Sequence, residues 1–212
     1  EYERLADHIG TIPLVFISPI DTLLVTEGSD VRRRFLDGII SQYDQKYLQH
    51  LIQYNRTLNQ RNVLLKSFRE SGTFRADDLE IWDMGLVTHG EALHTIRADF
   101  MEAFIPMFQS NYTQLTANKE AVSLEYKSQL FGADFSELLA QALPKDRMAG
   151  HTTVGIHKDD LEFTINELNV RKFSSQGQIK SYVLSLKLAQ ASLIRQKLQT
   201  SPLVLLDDIY DK

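Results

Sequence analysis

A short apolar run ending on two adjacent acids, Leu203-Val204-Leu205-Leu206-Asp207-Asp208, constrains this chain more than any other stretch. Four consecutive apolar residues form the pattern of a strand buried on both faces of a mostly parallel sheet. The acids then stand at the strand's carboxyl end, where open α/β sheets bind ligands. One carboxylate there can hold Mg²⁺ beside nucleotide phosphates, and the next can orient an attacking water. The plainer reading is that both acids cap a turn, and the run alone leaves the two readings open.

A second stretch, just upstream, handles anions in principle. Phe173-Ser174-Ser175-Gln176-Gly177-Gln178 is a small polar loop that opens a long helix pattern. Ser175 is an N-cap type of residue, and Gly177 lets the backbone approach a ligand with no Cβ in the way. A helix start offers unpaired N–H groups and a partial positive charge. Ile179, Tyr182, Val183, Leu186, Ala189, Leu193 and Leu198 recur at three- and four-residue steps, while Leu184, Leu188 and Ala191 lie off that stripe. The helix is therefore expected to be covered on most sides. A capped helix needs no ligand, so taken alone this stretch is structural.

Composition excludes several classes. The 212 residues leave room for one large domain or two small ones. With no cysteine, disulfides and thiolate metal sites are ruled out, which fits a reducing cytoplasm. No apolar run approaches the roughly 18 residues of a membrane span, and no signal peptide is visible. The six histidines lack metal-ligand spacing, and no Ser-His-Asp set stands out. No G-x-x-x-x-G-K-[ST] loop is present: Gly150-His151-Thr152-Thr153-Val154-Gly155 has the glycine spacing, but Ile156 holds the lysine position. Charge is uneven. Residues 29–75 carry nine Lys/Arg against four Asp/Glu, a local +5 within a total of −5, which leaves −10 elsewhere. Such asymmetry favours an anionic partner for one face, or a solvated one.

Along the chain, Pro13 and Pro19 bracket a strand from about Leu14 to Ile17. Ser29 and Asp30 start a helix, and a helical pattern continues to about Phe68, with Arg61 interrupting its apolar stripe. A second long helix is predicted over 78–115, kinked at Pro106, with Gly72 marking the turn between the two. Residues 122–126 alternate as a strand, and 136–143 read as a short helix ended by Pro144. Strands are predicted at 152–154, 161–165 and 170–173, the last two forming a hairpin that feeds the polar loop.

Together the loop and the acid-ended strand resemble the signature loop and Walker B strand of ABC-type ATPases. Ser175-Gln176-Gly177-Gln178 stands where that superfamily carries S-G-G-Q, with Gln176 replacing a glycine. Other stretches narrow the resemblance to the SMC-like RecF recombination and repair family. They are Phe16-Ile17-Ser18-Pro19, Gly28 through Asp37, Tyr54-Asn55-Arg56, Gln60-Arg61-Asn62 and Gly155-Ile156-His157-Lys158-Asp159-Asp160-Leu161-Glu162-Phe163, in the family's order. The chemistry of His157 to Asp160 is not assignable from the residues, and a turn with local bonds is the reading taken.

The resemblance implies an α/β fold: part of an ABC/SMC-like ATPase head with an inserted α-helical domain built on long antiparallel helices. Residues 1–29 and 145–212 would belong to the head and 30–144 to the insertion. It implies ATP and Mg²⁺ as cofactors, Asp207 as the magnesium-associated acid and Asp208 as the residue that polarises the attacking water. Ser175, Gly177 and Gln178 would meet ATP bound to the opposite subunit of an ATP-dependent homodimer. The family's P-loop would lie before Glu1, so the segment alone is expected to bind ATP poorly and to be inactive, the full-length protein being a slow ATPase. Implied partners are duplex DNA and single-strand/duplex junctions, together with RecO and RecR in loading RecA. Arg32, Arg33, Arg34, Arg56 and Arg61 are the candidate phosphate contacts, although neighbours about 100° apart cannot share one helix face. Two rivals remain: an SMC-like or ABC ATPase with a non-DNA partner, and a helical protein-interaction module.

Overall fold

The structure, a computed structural model, describes residues 8–117 and 119–207. The chain divides into two compact units, Glu1–Gln45 with Ala98–Lys127 and Asp160–Lys212, and Lys46–Arg97 with Ser128–Asp159. These do not coincide with the segments 1–29, 30–144 and 145–212 expected from sequence. The long helix of 77–116 contributes to both units, so no single cut along the chain separates them.

The first unit holds two small sheets. Strand β1 (Leu14–Ile17) pairs in parallel with β5 (Leu203–Leu206), Leu14 opposite Leu203 and Ile17 opposite Leu206. A 3₁₀ turn (Pro19–Thr22) and the short helix α1 (Leu23–Thr26) lead from β1 into α2 (Ser29–Ile40). Strands β2 (Val122–Lys127), β3 (Asp160–Ile165) and β4 (Leu168–Asn169) form an antiparallel sheet in that order. The β3–β4 connection has positive φ at Asn166 and Glu167, the conformation that suits a tight hairpin. Residues Val170–Phe173, predicted as a strand, form instead the short helix α6, whose Val170 is buried.

Helix α7 (Gln176–Leu198) is covered on most sides, as its sequence requires. Tyr182, Val183, Leu186, Ala189, Leu193 and Ile194 are buried, and so are the polar Ser185, Lys187 and Gln190. The last half of α4 (Asp77–Thr116) adds Phe104, Phe108 and Tyr112 to this core, with the Phe108 and Tyr182 ring centres 4.7 Å apart. Each such side chain contributes about 1.5–3 kcal/mol by leaving water. The apolar run Leu203–Leu206 departs from expectation. It forms the predicted strand, but its side chains stay 41–59% exposed, because β1 is its one neighbour among the described residues. Burial of both faces requires a layer over each face.

In the second unit α3 (Gln45–Ser71) runs antiparallel to α4, placing Arg61 beside Asp83 and Tyr47 beside Arg97. The helix predicted to run through 30–68 breaks at 41–44. There Gln42 accepts the Leu14 N–H at 2.9 Å, and α2 closes with the Ser41 N–H on the Asp37 carbonyl. Helix α5 (Phe135–Ala149) is capped by Asp134 and ends at Gly150 with φ +73°. It passes through Pro144 instead of stopping there. Ala140 and Pro144 are both on its exposed side, so the carbonyl that proline leaves unpaired faces water. The predicted strand at 152–154 is irregular backbone. Gly90 is required by packing: a Cβ there would lie 2.5 Å from the Phe135 ring. No helix among the described residues is long and apolar enough to cross a membrane.

Candidate nucleotide site at the start of helix α7

The parallel β1–β5 pair brings two chain segments to one end. The Asp207 N–H donates to the Ile17 carbonyl at 2.9 Å, so Asp207 stands, exposed, where β5 leaves the sheet and beside the exit of β1. Asp208 lies outside the described residues. Immediately after β1, Ser18 and the 3₁₀ turn face the first turns of α7 across a cleft of about 500 Å³ lined by Ser18, Thr22, Gln176, Ile179 and Lys180. The Ser18 hydroxyl is buried there without a hydrogen-bond partner among the described residues. An ion pair fixes this geometry from below: Lys187 of α7 meets Asp21 at 2.9 Å, both side chains at most 15% exposed.

The helix start is a reciprocal cap. The Gln178 N–H donates to Ser175 Oγ at 3.3 Å, while the Ser175 N–H donates to Gln178 Oε1 at 2.7 Å. Gln178 also donates through Nε2 to Glu120 at 2.7 Å, and the Tyr112 hydroxyl donates to the same carboxylate at 2.5 Å. These two bonds hold the Glu120 carboxyl below its ordinary pKa, Tyr112 first and Gln178 second. Gly177 is different from the packed glycines. Among the described residues, a Cβ there would find nothing nearer than Ser175 Oγ at 4.0 Å, so none of them requires glycine at this position.

A magnesium–nucleotide group suits what is present. Mg²⁺ is held by one or two carboxylates plus phosphates, and an exposed Asp207 at a sheet's carboxyl end is such a donor. Among the described residues no group of three or more His, Cys, Asp or Glu could by itself hold a metal ion.

The arginines separate sharply. Arg61 is fully buried: its Nε reaches Asp83 at 2.5 Å and its Nη1 reaches Asp146 at 2.6 Å and Thr152 at 2.9 Å. Arg32 is 9% exposed and grips Asp160 through Nε at 2.6 Å and Nη2 at 3.0 Å. Both leave the set of candidate phosphate contacts, because they are buried and paired with internal carboxylates. Arg33 pairs with Asp30 on its own helix, whereas Arg34 and Arg56 are exposed.

The stretch His157 to Asp160 acquires a role. His157 Nε2 bonds the Thr152 carbonyl at 3.1 Å, so it carries the proton, and Nδ1 accepts from the Tyr54 hydroxyl at 2.9 Å. Asp159 is buried against Arg97 at 2.9 Å, and Asp160 takes Arg32. These residues tie backbone turns to helices within their respective units. Arg61's interruption of the apolar stripe was visible in the sequence, but its buried acid partners were not. Nothing in the spacing of Glu120, a lone acid in a loop, marks it as the partner of Gln178.

With the parallel pair, its terminal acid and the capped glycine-bearing helix start in place, comparison with known proteins defines the class. The solved structure of the recombination mediator protein RecF-ATPrS in the RecFOR pathway superposes with a TM-score of 0.92 and 29% identity, covering 100% of this chain and 59% of that one. A second, of RecF-ATP, gives 0.87 and 31%, with 95% and 56% covered. The fold is part of an ABC/SMC-like ATPase head carrying an inserted helical domain. The DNA replication and repair protein RecF of Flavobacterium johnsoniae is 46% identical over 211 residues, and that of Phocaeicola vulgatus is 44% identical over 213. No protein-family model matches the chain. Over its whole length the chain is similar to proteins of the RecF family. It spans 59% and 57% of the length of those two relatives.

Proposed function

We propose that this chain is part of an ATP-dependent DNA-binding protein of recombinational repair, whose ATP-bound form is a homodimer with composite sites. The observation that carries the reading is Gly177, a glycine at a capped helix start for which no described neighbour asks. Space left open beside backbone N–H groups fits a phosphate delivered from outside, and relatives solved with ATP and ATPrS share this fold. In this account Ser175 and Gly177 face the γ-phosphate held by the opposite subunit. Gln178 shapes the loop, each end of its amide making one bond within the chain, and keeps a second amide hydrogen for the nucleotide. Asp207 would hold Mg²⁺, which neutralises charge on the phosphates, and Asp208 would orient water for slow hydrolysis. Exposed Arg34 and Arg56 are the remaining candidates for DNA phosphates. Work with RecO and RecR in loading RecA on gapped or junction DNA belongs to the same reading.

The test is the solution mass of the whole protein carrying Asp208→Asn, by light scattering with and without Mg-ATP. Blocking hydrolysis traps an ATP-bound dimer, so the mass doubles, and adding Ser175→Arg abolishes the doubling. An unchanged mass, with ATP binding confirmed separately, removes the composite site and favours a helical interaction module.

A further inference from the structure

We propose that Glu120 is a positioning residue for the signature loop, acting on the opposite subunit's nucleotide through Gln178. The inference rests on the composite-site reading above. Glu120 lies on no helix or strand, between α4 and β2, yet it receives two short bonds, one on each carboxylate oxygen. Tyr112, in the last turns of α4 and fully buried, donates at 2.5 Å, and Gln178 donates at 2.7 Å. Gln178 then passes the constraint on, because its Oε1 accepts the Ser175 N–H at 2.7 Å. The chain of contacts therefore runs from a buried phenol, through an anion, to the backbone that presents Ser175 and Gly177.

Charge is what makes this linkage directional. A carboxylate is acceptor-only, so Tyr112 and the Gln178 amide nitrogen must both act as donors toward it. That choice fixes the amide orientation of Gln178, leaving its oxygen for Ser175. Bonds to an ionised acceptor are about twice as strong as neutral ones. A neutral residue at 120 loses this selection, since an amide there offers a donor to one of two donors. One turn further along α7 the Tyr182 hydroxyl donates to the Ser123 carbonyl at 2.6 Å. The segment around Glu120 thus holds the first two turns of α7 at two points, of which only the Glu120 point reaches the loop.

The experiment uses the whole protein as wild type, Glu120→Gln, Glu120→Ala and Tyr112→Phe, with two readouts. Hydrogen exchange reports the amides of Gln178 and Ile179 without nucleotide. Light scattering in the Asp208→Asn background reports ATP-driven dimerisation, alongside ATP affinity of the dilute monomer. Loss of a cap of this kind speeds exchange by about fivefold to tenfold. The expected result is that increase for both Glu120 variants, with dimerisation weakened by about tenfold and monomer ATP affinity unchanged. Tyr112→Phe should give a smaller shift in the same direction. Unchanged exchange in Glu120→Gln and Glu120→Ala overturns the proposal. Faster exchange with unaltered dimerisation also overturns it, since Glu120 would then be structural only. A wild type that binds ATP but never dimerises sinks the composite site itself, and the exchange arm still decides whether Glu120 holds the loop.

Discussion

Arg61 and Asp146 meet at 2.6 Å with both side chains withdrawn completely from solvent. Asp146 uses its other oxygen for the backbone N–H and the hydroxyl of Thr153, at 2.8 and 2.7 Å. Removing Arg61 strands the buried Asp146 charge, which costs about 3–5 kcal/mol, while removing Asp146 leaves Arg61 with Asp83 at 2.5 Å and costs less. Arg61→Ala and Asp146→Ala should each lower the urea midpoint of the whole protein accordingly. The double variant should lose less than the sum, because neither charge is then stranded. Additive losses would show that the pair is not coupled.

The same arginine shows how far the sequence could be read. Its break in the apolar stripe of α3 was visible, but a stripe cannot say whether the intruder meets solvent or a buried acid. The acids that capture Arg61 lie 22 and 85 residues away, and no local pattern encodes such separations. Local signals fared better. Ser175 caps α7, and β2, β3 and the Asn166 turn arose where alternation and turn residues placed them. Pro144 misled because its penalty depends on whether the carbonyl it frees is buried. Val170–Phe173 misled because four residues with branched and aromatic members suit a strand or a single helical turn equally.

His50 and His89 face each other across α3 and α4 with their Nδ1 atoms 3.0 Å apart. Burial, and secondly the neighbouring His50, holds His89 below the ordinary histidine pKa. The folded form therefore favours neutral His89, and its contribution is complete above the unfolded pKa of about 6.5 and is lost as pH falls from there through the lower folded value. Thermal melts between pH 8 and 5 should show falling stability over this window. His89→Gln should flatten the acid side of the profile, and an unchanged slope would exclude the pair as its cause.

Arg34 and Arg56 are the exposed members of the original arginine set. If they contact phosphates, reversing either to Glu should weaken duplex binding across all sequences. It should also lower the slope of log K against log[salt] by about 1 per contact. Arg32→Glu should instead lower stability, since it places two carboxylates where Arg32 now bonds Asp160 at 2.6 Å. Unaltered salt slopes for both Arg34→Glu and Arg56→Glu, with folding intact, would turn the argument toward a protein partner for these helices.

Gly177 offers the sharpest separation of folding from function. Its nearest neighbour to an added Cβ is Ser175 Oγ at 4.0 Å, and its φ lies outside the left-handed region. Alanine fits there without strain and is the better helix former, so Gly177→Ala should leave stability unchanged or raise it by about 0.5–1 kcal/mol. A phosphate approaching the helix start would meet that methyl group directly. ATP-driven dimerisation of the whole protein in the Asp208→Asn background should then weaken by about tenfold, while the monomer's ATP affinity stays the same. A variant that is both more stable and worse at dimerising cannot owe its defect to misfolding. A variant that dimerises normally would show that the space beside Gly177 is not where the partner subunit's nucleotide sits.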